Sequence, residues 1–435
     1  MRSQILFLDD DHKILDGLRR SLRRRRGVWD LLFFDKAAEA LAHIRDHAVD
    51  VVVSDMRLPG HDGAAVLEEV RRRRPEAARI ILSGYAEDDA VLRTVGPAHQ
   101  YLAKPCEPAV LDAVIERALS LRRFLGTKEL QGLASGLQAL PSPPDVYTRL
   151  LAQLDNPRSA GRDFAAIIAE DPALTAQTLK VTNTAYFALP QQVDNLQHAV
   201  ALLGVETLRA LAMVNGYFHC FDGPPSQLRR VETLRDHSLA IGLGAHAIAT
   251  AEATRNAKTN GTANAVAECA RCAGVLSQIG SLAMMVVWPE RFAEALAMVE
   301  QGDAPNRVAA ERAIYGAAHP EIGGYMLGLW GFTDPVVEAV AYHHEPAQSG
   351  RSQVTNAPLL PVHVAQSLMR QDCALPSEAA LKAGAVPPPE RTPGLDREWL
   401  AALGLEPRLP AWCEAVEPLK AALAGPNGFG AGATR

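Results

Sequence analysis

The segment "VVVSDMRLPGHDG" (residues 51–63) decides how the first part of the chain folds. Its three valines predict a short buried strand, and Asp55 stands where that strand would end. Similar apolar runs alternate with amphipathic stretches of helical period throughout residues 4–125. The other runs are "ILFL" (5–8), "LLFF" (31–34), "RIIL" (79–82) and "QYLA" (100–103), and the helical stretches are 12–26, 36–47, 63–74, 87–95 and 107–124. This alternation predicts an α/β fold with a doubly wound, parallel, five-stranded sheet.

Carboxylates collect at the ends of these strands. Asp9, Asp10 and Asp11 follow the first strand, and Asp55 ends the third. The carboxyl ends of parallel strands meet at one edge of the sheet, so the four side chains should converge there. Clustered carboxylates repel each other unless a hard cation lies between them, and Mg²⁺ suits such an all-oxygen site. A carboxylate in that setting can also accept a phosphoryl group.

Two further polar residues belong to the same edge. Ser83 ends the fourth strand and Lys104 ends the fifth, where a hydroxyl and an ammonium could both hold phosphoryl oxygens. A single acid after a strand is explained by helix capping. Four acids together with a serine and a lysine, each at a strand end, favour a phosphorylation site.

These motifs resemble the receiver domain of two-component response regulators, a flavodoxin-like fold. The resemblance is carried by "ILFLDDD", "VVVSDMRLPGHDG", "IILSGYAE" and "QYLAKP" and covers residues 1–125. It implies a sensor histidine kinase as partner and Asp55 as the phosphoacceptor. It implies an acid pocket that binds Mg²⁺, formed by Asp9, Asp10, Asp55 and the main-chain carbonyl of Arg57.

The same resemblance assigns the residues that respond to the phosphoryl group. Ser83 would be the switch hydroxyl and Tyr101 the switch aromatic, while Lys104 would contact the phosphoryl oxygens. The Lys104–Pro105 peptide bond is expected to be cis, which is natural only before proline.

After residue 125 the strand-like runs give way to helical periodicity, interrupted by Pro-rich and Gly-rich segments. We expect a second, all-α unit, followed by a tail that composition marks as disordered. The predicted units are a linker helix region (126–140), a helical domain (141–370) with an N-terminal bundle (141–222) and a second half (226–370), a Pro-rich linker with a short helical C-terminal segment (371–424), and the tail (425–435).

The stretch "GVLSQIG" (274–280) predicts a buried apolar helix that carries two adjacent polar residues, Ser277 and Gln278. Four histidines lie before and after this stretch in a regular order. Each of them alone would be interpreted as a core or surface residue. Metal sites in helical bundles are built from such residues on facing helices. The histidines are His237, His319, His343 and His344, and "HVAQ" with Gln366 follows them.

This order resembles the HD superfamily of phosphohydrolases, in which a His-Asp pair stands where this chain has Ser277 and Gln278. A later aspartate of that family corresponds to Gln366. The resemblance is closest to the HDOD domain, an HD-related all-α output domain. "LQALPSPPDVYTRLLAQLDNP", "IIAEDPALTAQTLKVTNTAYFALP" and "QHAVALLGVETLRALAM" are similar to its N-terminal bundle. We expect Ser277 and Gln278 to face His237 and to find hydrogen-bond partners.

Neutral Ser and Gln are poor ligands for the metal of a hydrolase, which needs carboxylates. We therefore expect no metal and no catalysis in the second domain. The leading interpretation is an output that acts through protein–protein contacts with a downstream signalling protein, with a phosphorylation-dependent homodimer as one arrangement. The alternatives are a degenerate HD-type metal-dependent phosphohydrolase and a sensor that binds a cyclic dinucleotide.

Composition limits the remaining classes. Residues 126–435 carry 23 Lys and Arg against 30 Asp and Glu, which disfavours a nucleic-acid target because phosphate binding needs basic surfaces. No apolar run reaches the length of a membrane span. Six scattered cysteines in 435 residues fit reduced thiols in the cytoplasm.

Overall fold

The structure is a computed structural model. It describes residues 2–83, 98–125, 127, 130–132, 141–142, 149–150, 153, 159–183, 192–203, 219–220, 224–255, 262–350, 357–369 and 394–424. The expected helix at 87–95 and the expected disordered tail at 425–435 lie outside these residues.

The N-terminal part is a parallel five-stranded sheet between helices, as the alternation predicts. The elements are β1 (Ser3–Leu8), α1 (His12–Ser21), β2 (Trp29–Phe34), α2 (Ala37–Asp46), β3 (Val51–Asp55), α3 (Gly63–Arg73), β4 (Ala78–Ser83), β5 (Gln100–Ala103) and α4 (Pro108–Phe124). The strand order is β2-β1-β3-β4-β5, and every neighbouring pair is parallel. A two-residue antiparallel pair joins Arg57–Leu58 to His61–Asp62 after β3.

Local sequence explains how the chain turns at the functional edge of this sheet. Asp11 and Asp62 cap α1 and α3, because their side chains accept hydrogen bonds from the free N–H groups of the first turn. Gly63 is needed where α3 begins, since a Cβ there would lie 2.1 Å from the carbonyl oxygen of Asp55. The close approach of α3 fixes the backbone that carries Asp55.

The second part is helical apart from one two-residue strand pair, Pro141–Ser142 with His219–Cys220, among the residues that the structure describes. The helices are α5 (Gly161–Ile168), α6 (Pro172–Thr182), α7 (Pro225–Arg255), α8 (Thr262–Leu276), α9 (Ile279–Val287), α10 (Pro289–Gln301), α11 (Arg307–Tyr315), α12 (His319–Leu329), α13 (Asp334–Tyr342), α14 (Leu359–Leu368), α15 (Arg397–Ala402) and α16 (Leu409–Ala424). The long helix α7 packs along α8, α14 and α16, and α12 packs between α9 and α13.

The prediction that "GVLSQIG" forms one helix is wrong. Ser277 and Gln278 form a turn between α8 and α9, where the Ser277 N–H and Oγ both donate to the carbonyl of Gly274. The break is set by a neighbouring helix. A Cβ on Gly280 would lie 2.1 Å from the carbonyl oxygen of His319, so α9 starts directly against the first turn of α12.

The same region contains the one described stretch that is long and apolar enough to cross a membrane. It runs from Ala265 to Val287, so the expectation that no apolar run reaches the length of a membrane span is wrong; 83% of its most apolar 18-residue stretch is buried inside the protein. Its apolar character is therefore explained by packing in the helical core.

Candidate functional site

The expected acid pocket forms at the carboxyl edge of the sheet. Lys104 Nζ donates to Asp9 Oδ2 at 2.7 Å and to Asp55 Oδ1 at 2.6 Å. Oxygens of Asp9, Asp10 and Asp55 lie within 4.8 Å of one another. Asp10 is exposed, whereas the Asp9 and Asp55 side chains keep only 3% and 12% of their surface exposed. Asp10 is therefore the carboxylate through which the cluster reaches solvent.

Burial and the contacts between Lys104 and the carboxylates together shift the pKa values in the pocket. Burial raises the pKa of Asp9, although hydrogen bonds from Lys104 and from the Asp11 backbone N–H oppose that rise. Burial by itself would lower the pKa of Lys104, but its hydrogen bonds to Asp55 and Asp9 outweigh burial and raise that pKa. Three carboxylates around one ammonium leave an excess of negative charge, so the donor set fits Mg²⁺.

The structure gives the position of the other expected switch residues but shows fewer of their side-chain contacts. Ser83 ends β4, but its side chain lies outside the described part of the structure. Tyr101 lies in β5 and is buried with the apolar residues on one face of the sheet. Arg57 follows β3 in the short strand pair. The Lys104–Pro105 peptide bond is cis, as the resemblance implies.

A second polar cluster lies in the core of the helical domain, at the position where the HD resemblance places a metal site. The Gln366 amide donates a hydrogen bond to His237 Nε2 at 3.1 Å. Gln278 instead accepts from Arg307 at 2.6 Å and from Ser281 at 3.2 Å through its Oε1. Gln278 Nε2 has no hydrogen-bond partner within the described residues. The expectation that the polar atoms of Gln278 all find such partners is therefore wrong.

Two charged residues of this cluster, Arg307 and Glu311, were not foreseen from the sequence. Both are almost fully buried, and their closest charged atoms are 3.6 Å apart. Glu311 Oε2 accepts from the backbone N–H of His319 at 2.8 Å and from its Nδ1 at 2.7 Å. Burial raises the pKa of Glu311, and the Arg307 charge opposes that rise. A four-residue spacing on a helix is also that of an ordinary surface ion pair, so the pattern gave no sign of burial.

His319, His343 and His344 lie together beside this ion pair. The ring centroids of His343 and His344 are 4.2 Å apart, and each lies within 5.4 Å of the His319 ring. His344 Nε2 and His319 Nε2 are 3.2 Å apart. Burial lowers the pKa of His343 to about 4 and holds the pKa values of His319 and His344 well below the usual value. Burial therefore favours the neutral form of all three rings.

The two parts of the chain meet through β5, α4 and α12. Gln100 Nε2 donates to the carbonyl of Gly328 at 3.4 Å. Arg117 donates to the carbonyl of Phe332 at 2.5 Å and pairs with Asp334 at 2.9 Å. One hydrophobic cluster continues from the sheet through α4 into α12. The strand that carries Lys104 at its end therefore touches the helix that begins at His319.

Comparisons with known families agree with both halves of the sequence. The family described as "Response regulator receiver domain" matches residues 5–116. The family described as "HDOD domain" matches residues 140–346. Together they cover the acid pocket and the histidine cluster.

Individual relatives match mainly over a part of the chain. The hydrogenase transcriptional regulatory protein HoxA of Cupriavidus necator is 31% identical over 166 residues, or 38% of this chain and 32% of the relative. The DNA-binding transcriptional regulator NtrC of Escherichia coli is 33% identical over 120 residues, or 27% of this chain and 25% of the relative. The chain thus spans about a third or less of these relatives.

Among solved structures, the signal receiver domain of an HD domain-containing protein from Pseudomonas fluorescens Pf-5 is 28% identical. The match covers 28% of this chain and 98% of that domain, with a TM-score of 0.27.

Proposed function

We propose that the chain is a two-component response regulator, in which phosphorylation of Asp55 in the N-terminal receiver domain switches a non-catalytic output, the C-terminal HDOD domain. A sensor histidine kinase supplies the phosphoryl group. The HDOD domain then changes its contact with the receiver and with a downstream signalling protein in the cytoplasm. The proposal is carried by one observation about the two ends of β5. Gln100, its first residue, contacts Gly328 of α12, and Lys104, the residue directly after β5, lies in the acid pocket.

The acid pocket supplies the chemistry of phosphoryl acceptance. An oxygen of Asp55 attacks phosphorus, and the bond between phosphorus and the donor group breaks. Asp9, Asp10, Asp55 and the main-chain carbonyl of Arg57 would hold Mg²⁺, which neutralises charge on the phosphoryl oxygens when it is bound. Lys104 exchanges its hydrogen bond to Asp55 for one to a phosphoryl oxygen, and Ser83 donates to another.

The change in the hydrogen bonds of Lys104 is transmitted along β5. Tyr101 is buried beside Gln100, and its rotation would change the packing of β5 against the helices. Gln100 contacts the carbonyl of Gly328, which lies in the last turn of α12. That helix is packed closely against α13, because a Cβ on Gly324 would lie 2.7 Å from Ala341 Cβ. Close packing of this kind favours two discrete arrangements over a gradual one.

A non-catalytic output is supported by the contacts of the degenerate cluster. The positions of the HD ligands hold Ser277, Gln278 and Gln366, and Gln278 is bound to the guanidinium of Arg307. A buried guanidinium beside these side chains opposes the binding of the carboxylate-ligated metal that hydrolysis requires. The acidic balance of the HDOD domain supports a protein partner over a nucleic acid.

Amide hydrogen exchange of the full chain tests this proposal, with and without acetyl phosphate and Mg²⁺. We expect a mass gain of one phosphoryl group on wild-type protein, together with altered exchange in α4 and α12. Asp55→Asn should show neither. Phosphorylation of Asp55 that leaves exchange in α4 and α12 unchanged would contradict the switch. Turnover of a cyclic dinucleotide that is lost in His319→Asn would contradict a non-catalytic output.

A further inference from the structure

We propose that the protein associates with a second copy of itself, through a basic patch on the receiver of one copy and an acidic patch on the HDOD domain of the other. The receiver patch consists of four arginines and one valine, Arg20, Arg23, Arg24, Arg26 and Val28. The HDOD patch consists of two valines and two glutamates, Val286, Val287, Glu290 and Glu294. This contact differs from a phosphorylation-dependent homodimer, because it forms without a phosphoryl group on Asp55.

The receiver patch carries positive charge that its own domain does not neutralise. Arg20 lies in the last turn of α1, and Arg23 and Arg24 belong to the 3₁₀ turn that follows, Leu22–Arg25. Residues three and four apart on a helix share a face, so these three arginines project together. All four arginines of the receiver patch are exposed, and they form no ion pair with any residue that the structure describes.

A second run of four arginines, residues 71–74, is held in a different way. Three of its members pair with glutamates about one turn earlier, and the fourth donates to two backbone carbonyls. In the run 23–26, Arg25 pairs with Asp112 and Glu116 and lies over the Trp29 ring, 4.9 Å from its centre. These contacts hold the 3₁₀ turn against α4, while the arginines on either side of Arg25 remain exposed. The receiver patch is therefore a fixed surface with unmatched charge.

The HDOD patch has the opposite charge and lies at the corner between α9 and α10. Its two valines end α9, and Glu290 lies in the first turn of α10. Glu294 follows four residues later, so the two carboxylates share a face of α10. Both glutamates are exposed and have no ion-pair partner in the described ranges. The neighbouring cation, Arg291, lies over the ring of Trp288, with 5.5 Å between its Cζ and the ring centre.

Each patch also contains exposed apolar surface. Val28 is 55% exposed, and Val286 and Val287 are 36% and 37% exposed. Five large apolar side chains are exposed in the part of the chain that the structure describes, and these valines are three of them. Apolar side chains surrounded by polar residues are typical of protein–protein contacts. Burial of the valines would stabilise the contact, and the surrounding charges would select the partner and speed the encounter.

The charge distribution favours a second copy over a nucleic acid or an anionic membrane. Residues 126–435 carry 30 Asp and Glu against 23 Lys and Arg, so the HDOD domain has an excess of negative charge. A large polyanion at the receiver patch would also approach this domain, which the receiver contacts through α4, and would be repelled by it. A second copy instead supplies a patch of matching charge and apolar character.

The contact joins two different surfaces, so it is heterologous. Every copy has one patch of each kind. Two copies can therefore form the contact twice around a two-fold axis, or several copies can form it once with each neighbour. In both arrangements, two copies that are each defective in a different patch can still form one intact contact.

Sedimentation velocity of the unphosphorylated full-length protein tests the proposal. We expect association that increases with protein concentration and weakens at least about tenfold between about 0.05 M and about 0.5 M NaCl. The double variant Arg23→Glu/Arg24→Glu and the double variant Glu290→Arg/Glu294→Arg should each remain monomeric. An equimolar mixture of the two should associate, because each variant supplies the patch that the other lacks.

The matched control is Arg72→Glu/Arg162→Glu, which changes the net charge equally at side chains that are 70% and 89% exposed outside both patches. It should associate as the wild type does. A monomeric wild type, association of either patch variant alone, or a mixture that stays monomeric would overturn the proposal. A monomeric wild type that binds phosphatidylglycerol vesicles through Arg23 and Arg24 would assign the receiver patch to a membrane instead.

A second variant keeps the test decisive if circular dichroism shows that a charge-reversed protein is unfolded. Val28→Ser leaves every charge in place and removes apolar surface from the receiver patch. It should weaken self-association about tenfold. Val110→Ser, at the other exposed valine of the receiver, should leave self-association unchanged. Equal association of both valine variants and the wild type would overturn the proposal.

Discussion

Leu121 of α4 lies directly against Gly328 of α12, so closely that a Cβ on Gly328 would be 2.5 Å from Leu121 Cδ1. The absence of a side chain at residue 328 lets the receiver and the HDOD domain approach each other. Gln100 contacts the carbonyl of the same glycine. Gly328 therefore makes both an apolar contact and a hydrogen bond with the receiver.

Gly328→Ala should loosen this contact. The added methyl group must displace Leu121, and overpacking of this kind lowers the free energy of unfolding by about 1–3 kcal/mol. We expect faster amide exchange in α4 and α12 and a lower denaturant midpoint. Gly17→Ala is the control, since nothing lies within 4 Å of a Cβ at that helical position. Equal behaviour of the two variants would contradict a close interdomain contact at Gly328.

Lys104→Ala should make the stability of the receiver depend strongly on Mg²⁺. In this variant the carboxylates of Asp9 and Asp55 lose the positively charged ammonium group that both contact. Removing one partner of a largely buried ion pair costs about 3–5 kcal/mol, and a bound divalent cation would offset much of that loss. Thermal unfolding should therefore show a larger stabilisation by Mg²⁺ in Lys104→Ala than in the wild type.

Lys36→Ala serves as the control for that experiment, because Lys36 forms an exposed pair with Glu39. It should respond to Mg²⁺ as the wild type does. If Mg²⁺ stabilises Lys104→Ala no more than the wild type, the lysine does not substitute for the cation in the unphosphorylated pocket.

The receiver could be predicted almost completely because its signals are local. Short runs of branched residues predict strands that are buried on both faces of a parallel sheet. Parallel pairing alone then brings Asp9, Asp55 and Lys104 to one edge of that sheet. The order and bounds of the described strands follow the sequence pattern within a few residues.

The HDOD cluster could be predicted only in part, because its arrangement depends on contacts between distant segments. The break at Ser277 and Gln278 arises from the backbone of His319, which lies about forty residues later. The burial of Arg307 and Glu311 depends on how α11 packs, which helical periodicity does not reveal. Sequence order identified the histidines, but it did not show that His343 and His344 both reach His319.

Glu252→Ala should release the C-terminal helix α16 from α7. The Glu252 carboxylate accepts from Trp412 Nε1 at 2.8 Å and forms an ion pair with Arg408. Trp412 is fully buried, so its indole N–H would be left without this partner, at a cost of about 1–3 kcal/mol. Limited proteolysis should cut residues 394–424 faster than in the wild type. Glu417→Ala, on the exposed side of α16, is the control. Equal cleavage of both variants would show that Glu252 does not anchor the helix.

The free energy of unfolding of the HDOD domain should depend on pH in the alkaline range, because Lys180 is buried. The side chain is buried, and its Nζ lies 4.9 Å from the ring centre of Trp330. Burial, together with the smaller effect of the Arg79 charge, lowers the pKa of Lys180 from its usual 10.5 to about 7. Between these two values the unfolded chain binds the proton and the folded chain releases it. The free energy of unfolding should therefore rise with pH in that window.

From pH 7 to pH 9 this lysine alone should add about 2 kcal/mol to the free energy of unfolding. Lys180→Met should remove the rise and stabilise the protein at pH 7, since the variant buries no ammonium. Urea unfolding followed by tryptophan fluorescence measures both effects, because four of the five tryptophans lie after residue 280. Lys13→Met, at an exposed position of α1, should keep the wild-type pH dependence. A wild-type stability that is flat or falls from pH 7 to 9, with no difference in Lys180→Met, would show that Lys180 stays protonated beside Trp330.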